Sequence, residues 1–298
     1  MRALVSIDGI DVPDGVDCAV WDGDGPPPED VEDVAFYVPP YGRAAEGLDL
    51  LRRMPRLRVL QSLSAGVDTV LAHVPDGVIL CNARGVHDAS TAELAVGLTL
   101  AAQRDLPQFH RAQLEGRWRP RRSQGLADAT VLLVGYGAIG AAIERRLDGF
   151  EVDILRVARR ARDGVHDLGE LPRLLPQADV VIVVVPLTDQ TRGLVDAGFL
   201  ARMADGALLV NVSRGPVLDT EALIGELGSR RLRAALDVTD PEPLPARHPL
   251  WTAPGLILTP HVGGGTAAML PRARALVSDQ LRRFAAGEPL ANVITGSY

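Results

Sequence analysis

Three side chains able to carry out acid–base chemistry each follow an apolar run in the second half of the chain. Arg214 stands in Asn-Val-Ser-Arg-Gly, Glu242 in Asp-Pro-Glu-Pro and His261 in Thr-Pro-His-Val-Gly. A guanidinium can bind a carboxylate through paired hydrogen bonds, and an imidazole can give a proton to a carbonyl oxygen. A carboxylate beside the imidazole would fix the ring and favour its protonated form near neutral pH. Each residue alone has an ordinary structural explanation, but together they suit the reduction of a 2-oxo acid.

A glycine-rich motif lies upstream of these residues. The apolar strand Val131–Val134 runs directly into Gly135-Tyr136-Gly137-Ala138-Ile139-Gly140, and a helical pattern follows over 141–147. In G-x-G-x-x-G the first glycine permits a tight turn, the second lets the backbone approach a pyrophosphate, and the third lets helix pack on strand. The pyrophosphate would lie at the helix N-terminus, where N–H groups and the dipole favour negative charge. The sequence therefore predicts dinucleotide binding rather than a merely structural turn.

The remaining candidate residues stand where predicted strands end, and ligands of parallel sheets bind beyond that edge. The candidate cofactor contacts outside the glycine motif are Val185, Pro186, Val212, Ser213, Asp237 and Gly263. In the first part of the chain, Ser64-Ala65-Gly66 also follows a strand. Its N–H groups could bind a carboxylate, although an ordinary turn is an equally good interpretation.

The second strand of the nucleotide domain indicates which dinucleotide is bound. NAD enzymes of this type place an acid there, roughly 20 residues past the glycines, for the ribose hydroxyls. Here Ala158 stands at that position and Arg159-Arg160 follow. Arginines can pair with a 2′-phosphate, so NADP is favoured over NAD. The alternative is a solvated charge run, because arginines are scattered through the chain.

Alternating strand and helix signals predict an α/β protein with two doubly wound parallel sheets. Residues 1–92 and 267–298 are expected to form a flavodoxin-like substrate-binding (lid) domain, and residues 93–266 a dinucleotide-binding domain. A long apolar helix is predicted over Ser90–Ala102 and a final helix over Ala267–Ala286. The predicted strands are Ala3–Ile7, Ala19–Trp21, Ala35–Val38, Val59–Leu63, Val78–Cys81, Val131–Val134, Val152–Val157, Val180–Val185, Leu208–Val212, Ala234–Asp237 and Leu256–Thr259.

Composition excludes several classes of function. The 298 residues carry a net charge of −7, which disfavours nucleic acid as the main partner. There is no lysine, so Schiff-base chemistry and the P-loop lysine are excluded. The histidines have no metal-ligand spacing, no apolar run is long enough to span a membrane, and Cys18 and Cys81 indicate thiols in a reducing compartment. A cytoplasmic protein without metal or membrane partner is expected.

These motifs together resemble the D-isomer-specific 2-hydroxyacid dehydrogenases over nearly the whole chain. The resemblance is carried by Ser64–Asp68, Ser90–Glu93, Gly135–Gly140, Asn211–Gly215, Ala235–Val238, Glu242–Leu244, Pro249–Trp251 and Thr259–Gly264. It implies that Arg214, Glu242 and His261 are catalytic and that Asp237 holds the nicotinamide carboxamide. It also implies that Ser64, Ala65 and Gly66, with Arg214 and His261, bind the substrate. Related formate dehydrogenases have Gln where Glu242 stands, so Glu242 favours reduction of an oxo acid.

Further expectations follow from the resemblance. A homodimer is implied, with residues 110–122 in the contact. Two other functions stay open: a dinucleotide-sensing binding protein without turnover, and a dehydrogenase of a phosphorylated hydroxy acid, for which Arg84 is the one obvious basic residue of the first domain. His87-Asp88 is interpreted as a surface loop, and the alternative is that it reaches the cleft from the substrate side.

Overall fold

The structure is a computed structural model and describes residues 1–42 and 44–295. Contacts divide the chain into two compact units, and each is described by itself. Unit 1 comprises Met1–His87 and Thr266–Tyr298, and unit 2 comprises Asp88–Gly265. Unit 2 begins at Asp88, before the predicted boundary at 92/93, because one continuous helix begins there and makes its main contacts with other elements of unit 2.

The elements, in chain order, have the following bounds. The strands are β1 (Arg2–Val5), β2 (Asp17–Val20), β3 (Val34–Tyr37), β4 (Val59–Gln61), β5 (Ile79–Cys81), β6 (Thr130–Val134), β7 (Asp153–Ala158), β8 (His166–Asp167), β9 (Val180–Val183), β10 (Leu208–Asn211), β11 (Arg233–Leu236) and β12 (Leu256–Leu258). The helices are α1 (Ala44–Asp49), α2 (Asp88–Gln103), α3 (Leu106–Leu114), α4 (Ala138–Leu147), α5 (Leu171–Leu174), α6 (Ala197–Arg202), α7 (Thr220–Gly228) and α8 (Met269–Ala286).

Unit 1 is built on a five-stranded parallel sheet in the order β2-β1-β3-β4-β5. This is the flavodoxin-like order, which confirms the fold expected for the first part of the chain. The C-terminal helix α8 returns to this unit and buries Ala273, Val277 and Leu281 against apolar side chains of the sheet. It ends at Gly287, whose φ of 70° provides the left-handed residue that commonly stops a helix.

Unit 2 is built on a seven-stranded sheet in the order β12-β11-β10-β9-β6-β7-β8, and every pairing is parallel. Strand order reverses between β6 and β9, so the loop after β6 lies at the switch point where such sheets bind ligands. The strands β6, β9 and β10 are buried on both faces, as continuous Val/Leu/Ile runs require. The predicted doubly wound sheet is confirmed. The short edge strand β8 was missed, because two residues carry no periodic pattern.

Two helices of unit 2, α2 and α4, pack on each other. Helix α2 is apolar on most faces and packs on α4, β10 and β11. Helix α4 packs on α2 and buries Gly140, Ala142, Ile143 and Leu147, the last three in one core cluster with Val131 and Leu133 of β6. Among the residues that the structure describes, no helix combines the length and apolar character needed to cross a membrane.

Candidate active site

Arg214 lies in the loop after β10, and the residues before it set its backbone. The amide of Asn211 donates from Nδ2 to the Arg214 carbonyl at 3.2 Å, while its Oδ1 accepts from the Ser213 hydroxyl at 2.6 Å. Gly215 is required next, because a Cβ there would lie 1.9 Å from the Thr239 carbonyl oxygen of the loop after β11. The loops that follow β10 and β11 are therefore packed backbone to backbone at this point.

His261 lies in the turn after β12, and Asp237 at the end of β11 holds that turn. The His261 amide donates to the Asp237 carbonyl at 2.7 Å. One oxygen of the Asp237 carboxylate accepts from Val262 N at 2.9 Å and from the Thr259 hydroxyl at 2.6 Å, and the other accepts from Gly263 N at 2.9 Å. His261 itself has a φ of 53°, the left-handed region that costs free energy for a residue with a Cβ. The hydrogen bonds of Asp237 offset that cost.

His261 and Glu242 form a direct pair. His261 Nδ1 lies 2.5 Å from Glu242 Oε1, and both side chains are about two-fifths exposed, at 43% and 42%. Because Nδ1 faces the carboxylate, Nε2 stands on the opposite side of the ring. The arrangement fixes the ring orientation that the sequence analysis expected from these two residue types. A cavity of about 440 Å³ adjoins the pair and is lined on its apolar side by Leu244, Trp251 and Leu258.

The three predicted catalytic side chains thus come from the same edge of the unit 2 sheet. Arg214 follows β10, Glu242 follows β11 and His261 follows β12, and these strands are neighbours. A guanidinium for an anion and an imidazole oriented by a carboxylate therefore share one end of three adjacent strands.

The glycine-rich loop fits a dinucleotide phosphate. A Cβ on Gly135 would lie 2.5 Å from the Val184 carbonyl, and one on Gly140 would lie 2.3 Å from the Gly135 carbonyl, so packing explains both residues. Gly137 is different: it is exposed, and a Cβ there would meet no described atom within 4 Å. Its missing side chain leaves room for a ligand rather than for the protein. Among the described residues no side chain caps the N-terminus of α4, whose first N–H groups, from Ala138 onward, suit an anion.

The other predicted cofactor contacts lie in loops that follow strands of the unit 2 sheet. Val185 and Pro186 follow β9 next to Val184, which packs against Gly135. Val212 and Ser213 are buried in the loop after β10, and Gly263 donates to Asp237. Strand β7 ends at Ala158, and Arg159 and Arg160 are exposed directly after it. The loop after β7 also carries Arg162, which the sequence analysis did not single out, because an exposed arginine gives no sequence signal of its contacts.

The predicted substrate loop of unit 1 follows β4, and three consecutive carbonyls of it are held by later residues. Leu63 O lies 2.7 Å from His87 Nε2, Ser64 O accepts from Ala83 N at 2.9 Å, and Ala65 O accepts from Asn82 Nδ2 at 2.8 Å. In a trans peptide N–H points opposite to C=O, so the N–H groups of Ala65 and Gly66 are directed away from residues 82–83. This orientation favours the anion-binding interpretation of the loop.

The interpretation of His87 as a surface loop is wrong. The side chain is 5% exposed and its ring stacks on Tyr41, with centroids 5.6 Å apart. The bond to Leu63 O gives Nε2 a partner, whereas Nδ1 is buried with no hydrogen-bond partner among the described residues. A pattern of residue types cannot reveal such a bond. Within residues 1–42 and 44–295, no group of three or more His, Cys, Asp or Glu is arranged to hold a metal ion.

The sequence of unit 2 matches the model of a known protein family. The model of the D-isomer specific 2-hydroxyacid dehydrogenase NAD-binding domain matches residues 96–263, which are most of unit 2. The chain belongs to the D-isomer specific 2-hydroxyacid dehydrogenase family. The resemblance stated from the sequence motifs is thereby confirmed, and unit 2 contains the family's NAD-binding domain.

Curated and solved members of the family match over most of the chain. The human glyoxylate reductase/hydroxypyruvate reductase is 34% identical over 248 residues, covering 78% of this chain and 76% of that protein. The D-3-phosphoglycerate dehydrogenase of Methanocaldococcus jannaschii is 33% identical over 257 residues, which is 83% of this chain; the match spans only 49% of that longer enzyme. A D-isomer specific 2-hydroxyacid dehydrogenase from Xanthobacter autotrophicus Py2, solved in complex with NADPH and MES, has a TM-score of 0.80 and 33% identity, covering 99% of this chain and 98% of that one.

Proposed function

We propose that this dehydrogenase-family chain reduces a small 2-oxo acid to the D-2-hydroxy acid, reversibly, with a reduced nicotinamide dinucleotide as cofactor. The observation that carries the proposal is the 2.5 Å pair of His261 Nδ1 and Glu242 Oε1, with Arg214 on the neighbouring strand end. An oriented proton donor and a guanidinium for a carboxylate are the two groups that such a substrate requires. The human relative is named for glyoxylate and hydroxypyruvate, which support small oxo acids as the substrate class.

Each catalytic residue has one task in this proposal. Arg214 binds the substrate carboxylate, and Glu242 holds the His261 ring through Nδ1. His261 delivers the proton from Nε2 to the carbonyl oxygen, which becomes the hydroxyl of the product. When bound, the reduced dinucleotide supplies the hydride to the carbonyl carbon. Asp237 fixes the turn that carries His261, and its contact with the nicotinamide carboxamide stays a prediction, as does carboxylate binding by Ser64, Ala65 and Gly66.

We further propose that the cofactor is NADP rather than NAD. The position that carries an acid in NAD enzymes is Ala158, at the end of β7, and the exposed Arg159 and Arg160 follow it. Two guanidiniums there can pair with a 2′-phosphate. With alanine at position 158, the ribose of NAD would have no carboxylate partner. The relative from Xanthobacter autotrophicus, solved with NADPH, supports the same preference.

A homodimer is proposed for the assembly, and cytoplasmic location stays a prediction from the sequence. The dimer is supported by the segment around α3, in which Leu106, Leu114 and Trp118 are 52%, 75% and 95% exposed. Apolar side chains as large as these, exposed together, are typical of a surface that another protein covers.

The matched D-3-phosphoglycerate dehydrogenase favours one second candidate, a dehydrogenase of a phosphorylated hydroxy acid. Arg84, exposed in the loop after β5, is the residue of unit 1 predicted to serve such a substrate.

The test is the loss of reduced-nicotinamide absorbance with glyoxylate, hydroxypyruvate and phosphohydroxypyruvate, using NADPH and NADH in parallel. Turnover of an unphosphorylated acid supports the proposal, and preference for the phosphorylated acid supports the second candidate. Cofactor binding without turnover on any acid would contradict both and favour a dinucleotide-sensing protein.

A further inference from the structure

One arginine outside the proposed roles joins the loop after β7 to the glycine-rich loop. Arg162 Nη2 donates to the Tyr136 carbonyl oxygen at 2.6 Å, and its guanidinium lies 5.6 Å from the centre of the Tyr136 ring. Tyr136 stands between Gly135 and Gly137, so Arg162 contacts the backbone and the side chain of the loop that suits the pyrophosphate. A charge-assisted hydrogen bond and a cation–π contact together make this a specific attachment.

Tyr136 is itself fixed from the other side. Its hydroxyl donates to the carboxylate of Glu144 on α4, and Arg156 on β7 binds the same carboxylate, with Nε 2.9 Å from Oε2. The hydrogen bond to Glu144 raises the pKa of Tyr136, and Arg156 lowers the pKa of Glu144. The phenol therefore remains a donor and the carboxylate remains charged. Arg162 thus binds a residue that cannot easily move.

The backbone of the loop after β7 is held by hydrogen bonds on both sides of Arg159 and Arg160. Before the arginine pair, the carbonyl of Val157 accepts from Gly135 N at 2.9 Å and from Tyr136 N at 3.0 Å. After the pair, Arg162 N donates to Val165 O at 2.9 Å, and Val165 N donates to Arg162 O at 2.8 Å. Arg159 and Arg160 consequently lie on a short span between two attachments to the glycine-rich loop, of which the Arg162 side chain is one.

We propose that Arg162 is a positioning residue for recognition of the cofactor's 2′-phosphate. It holds the span of Arg159 and Arg160 beside the glycine-rich loop, so that the guanidiniums and the pyrophosphate site have a fixed spacing. This inference rests on the proposed NADP preference and extends it to a residue that acts through its neighbours. A cofactor without the 2′-phosphate gains nothing from this spacing.

The experiment is equilibrium titration of the purified full chain with NADPH and with NADH, followed by nicotinamide fluorescence. Arg162→Gln removes the charge and the attachment, and we expect the Kd for NADPH to rise about tenfold, the size of one lost charge-assisted hydrogen bond, while the Kd for NADH changes less than about twofold. Arg145→Gln, an exposed arginine of α4, is the matched control and should change neither Kd.

A second set of variants separates positioning from direct contact. In the background of Arg159→Gln with Arg160→Gln, adding Arg162→Gln should have almost no further effect on the Kd for NADPH, because the residues it positions are gone. Additive effects would mean that Arg162 contacts the phosphate itself and would overturn the proposal. An equal rise of both Kd values, or no change, would overturn it too. Equal Kd values of the wild type for NADPH and NADH would instead contradict the NADP preference. In that case the present inference would be overturned if Arg162→Gln left the ratio of the two Kd values unchanged.

Discussion

Asp237 contacts the His261 turn through its main chain and its side chain at once. Its carbonyl accepts from His261 N at 2.7 Å, and its carboxylate accepts from the two following amides and from the Thr259 hydroxyl. The proton donor of the proposed reaction is therefore oriented by two acids, Glu242 on its ring and Asp237 on its backbone.

Asp237→Asn should disturb this turn without changing its size. The Asp237 carboxylate accepts from the Thr259 hydroxyl, Val262 N and Gly263 N. The NH2 group of asparagine cannot accept, so at least one of these donors would be left without a partner. We expect the free energy of unfolding to fall by about 1–3 kcal/mol and kcat to fall with it. Denaturant unfolding and steady-state kinetics check both.

Asp189→Asn is the control for that substitution, because Asp189 is exposed in the loop after β9. It should leave the free energy of unfolding unchanged. Wild-type stability and wild-type kcat in Asp237→Asn would show that the carboxylate does not hold the turn.

Gly215→Ala should separate the loops after β10 and β11. The added methyl would lie 1.9 Å from the Thr239 carbonyl oxygen, which is backbone and cannot rotate away. We expect a loss of about 1–3 kcal/mol in the free energy of unfolding, as for other overpacked sites. The KM for the oxo acid should rise as well, because Arg214 adjoins the displaced backbone.

Gly225→Ala is a matched control inside α7, where a Cβ would meet nothing within 4 Å. Since alanine favours the helix over glycine, this variant should gain about 0.5–1 kcal/mol. If both glycine variants changed stability alike, the close approach at Gly215 would not be a constraint.

The exposed apolar residues around α3 predict the assembly. Leu114→Asp with Trp118→Asp should convert the proposed dimer to monomer, because buried charges without partners are costly. Sedimentation equilibrium measures this mass change. Leu71→Asp, at an exposed leucine of unit 1, should leave the mass unchanged. A wild-type monomer, or a dimer that survives the double substitution, would contradict the interface.

Cysteine reactivity follows from burial. Burial raises the pKa of Cys81 to about 11, and burial also raises the pKa of Cys18. Because the thiolate is the nucleophile, a raised pKa means that little of the reactive form exists at pH 8. Iodoacetamide should leave Cys81 unmodified in the folded protein and label it after denaturation, as mass spectrometry of the peptides would record. Equal labelling rates in the two states would contradict the buried position.

The sequence was sufficient for those features that follow from periodic patterns and short motifs. Runs such as Val131–Val134 predict buried parallel strands, and Gly135–Gly140 predicts the loop at the switch point. The His87 bond to Leu63, the Asp237 bonds to the His261 turn and the Arg162 bond to Tyr136 were not predictable. Each joins segments whose approach is set by the path of the backbone, and residue type alone does not encode that path.

The proton-donor role of His261 is the central claim, and His261→Gln tests it most directly. The variant keeps a polar side chain but cannot give up a proton at neutral pH. The measurement is kcat/KM for NADPH-dependent reduction of hydroxypyruvate, with the Kd for NADPH determined in parallel. We expect kcat/KM to fall by about 10²–10⁴-fold, the usual contribution of a general acid, while the Kd for NADPH stays at the wild-type value. Equal kcat/KM in the variant and the wild type would contradict the account.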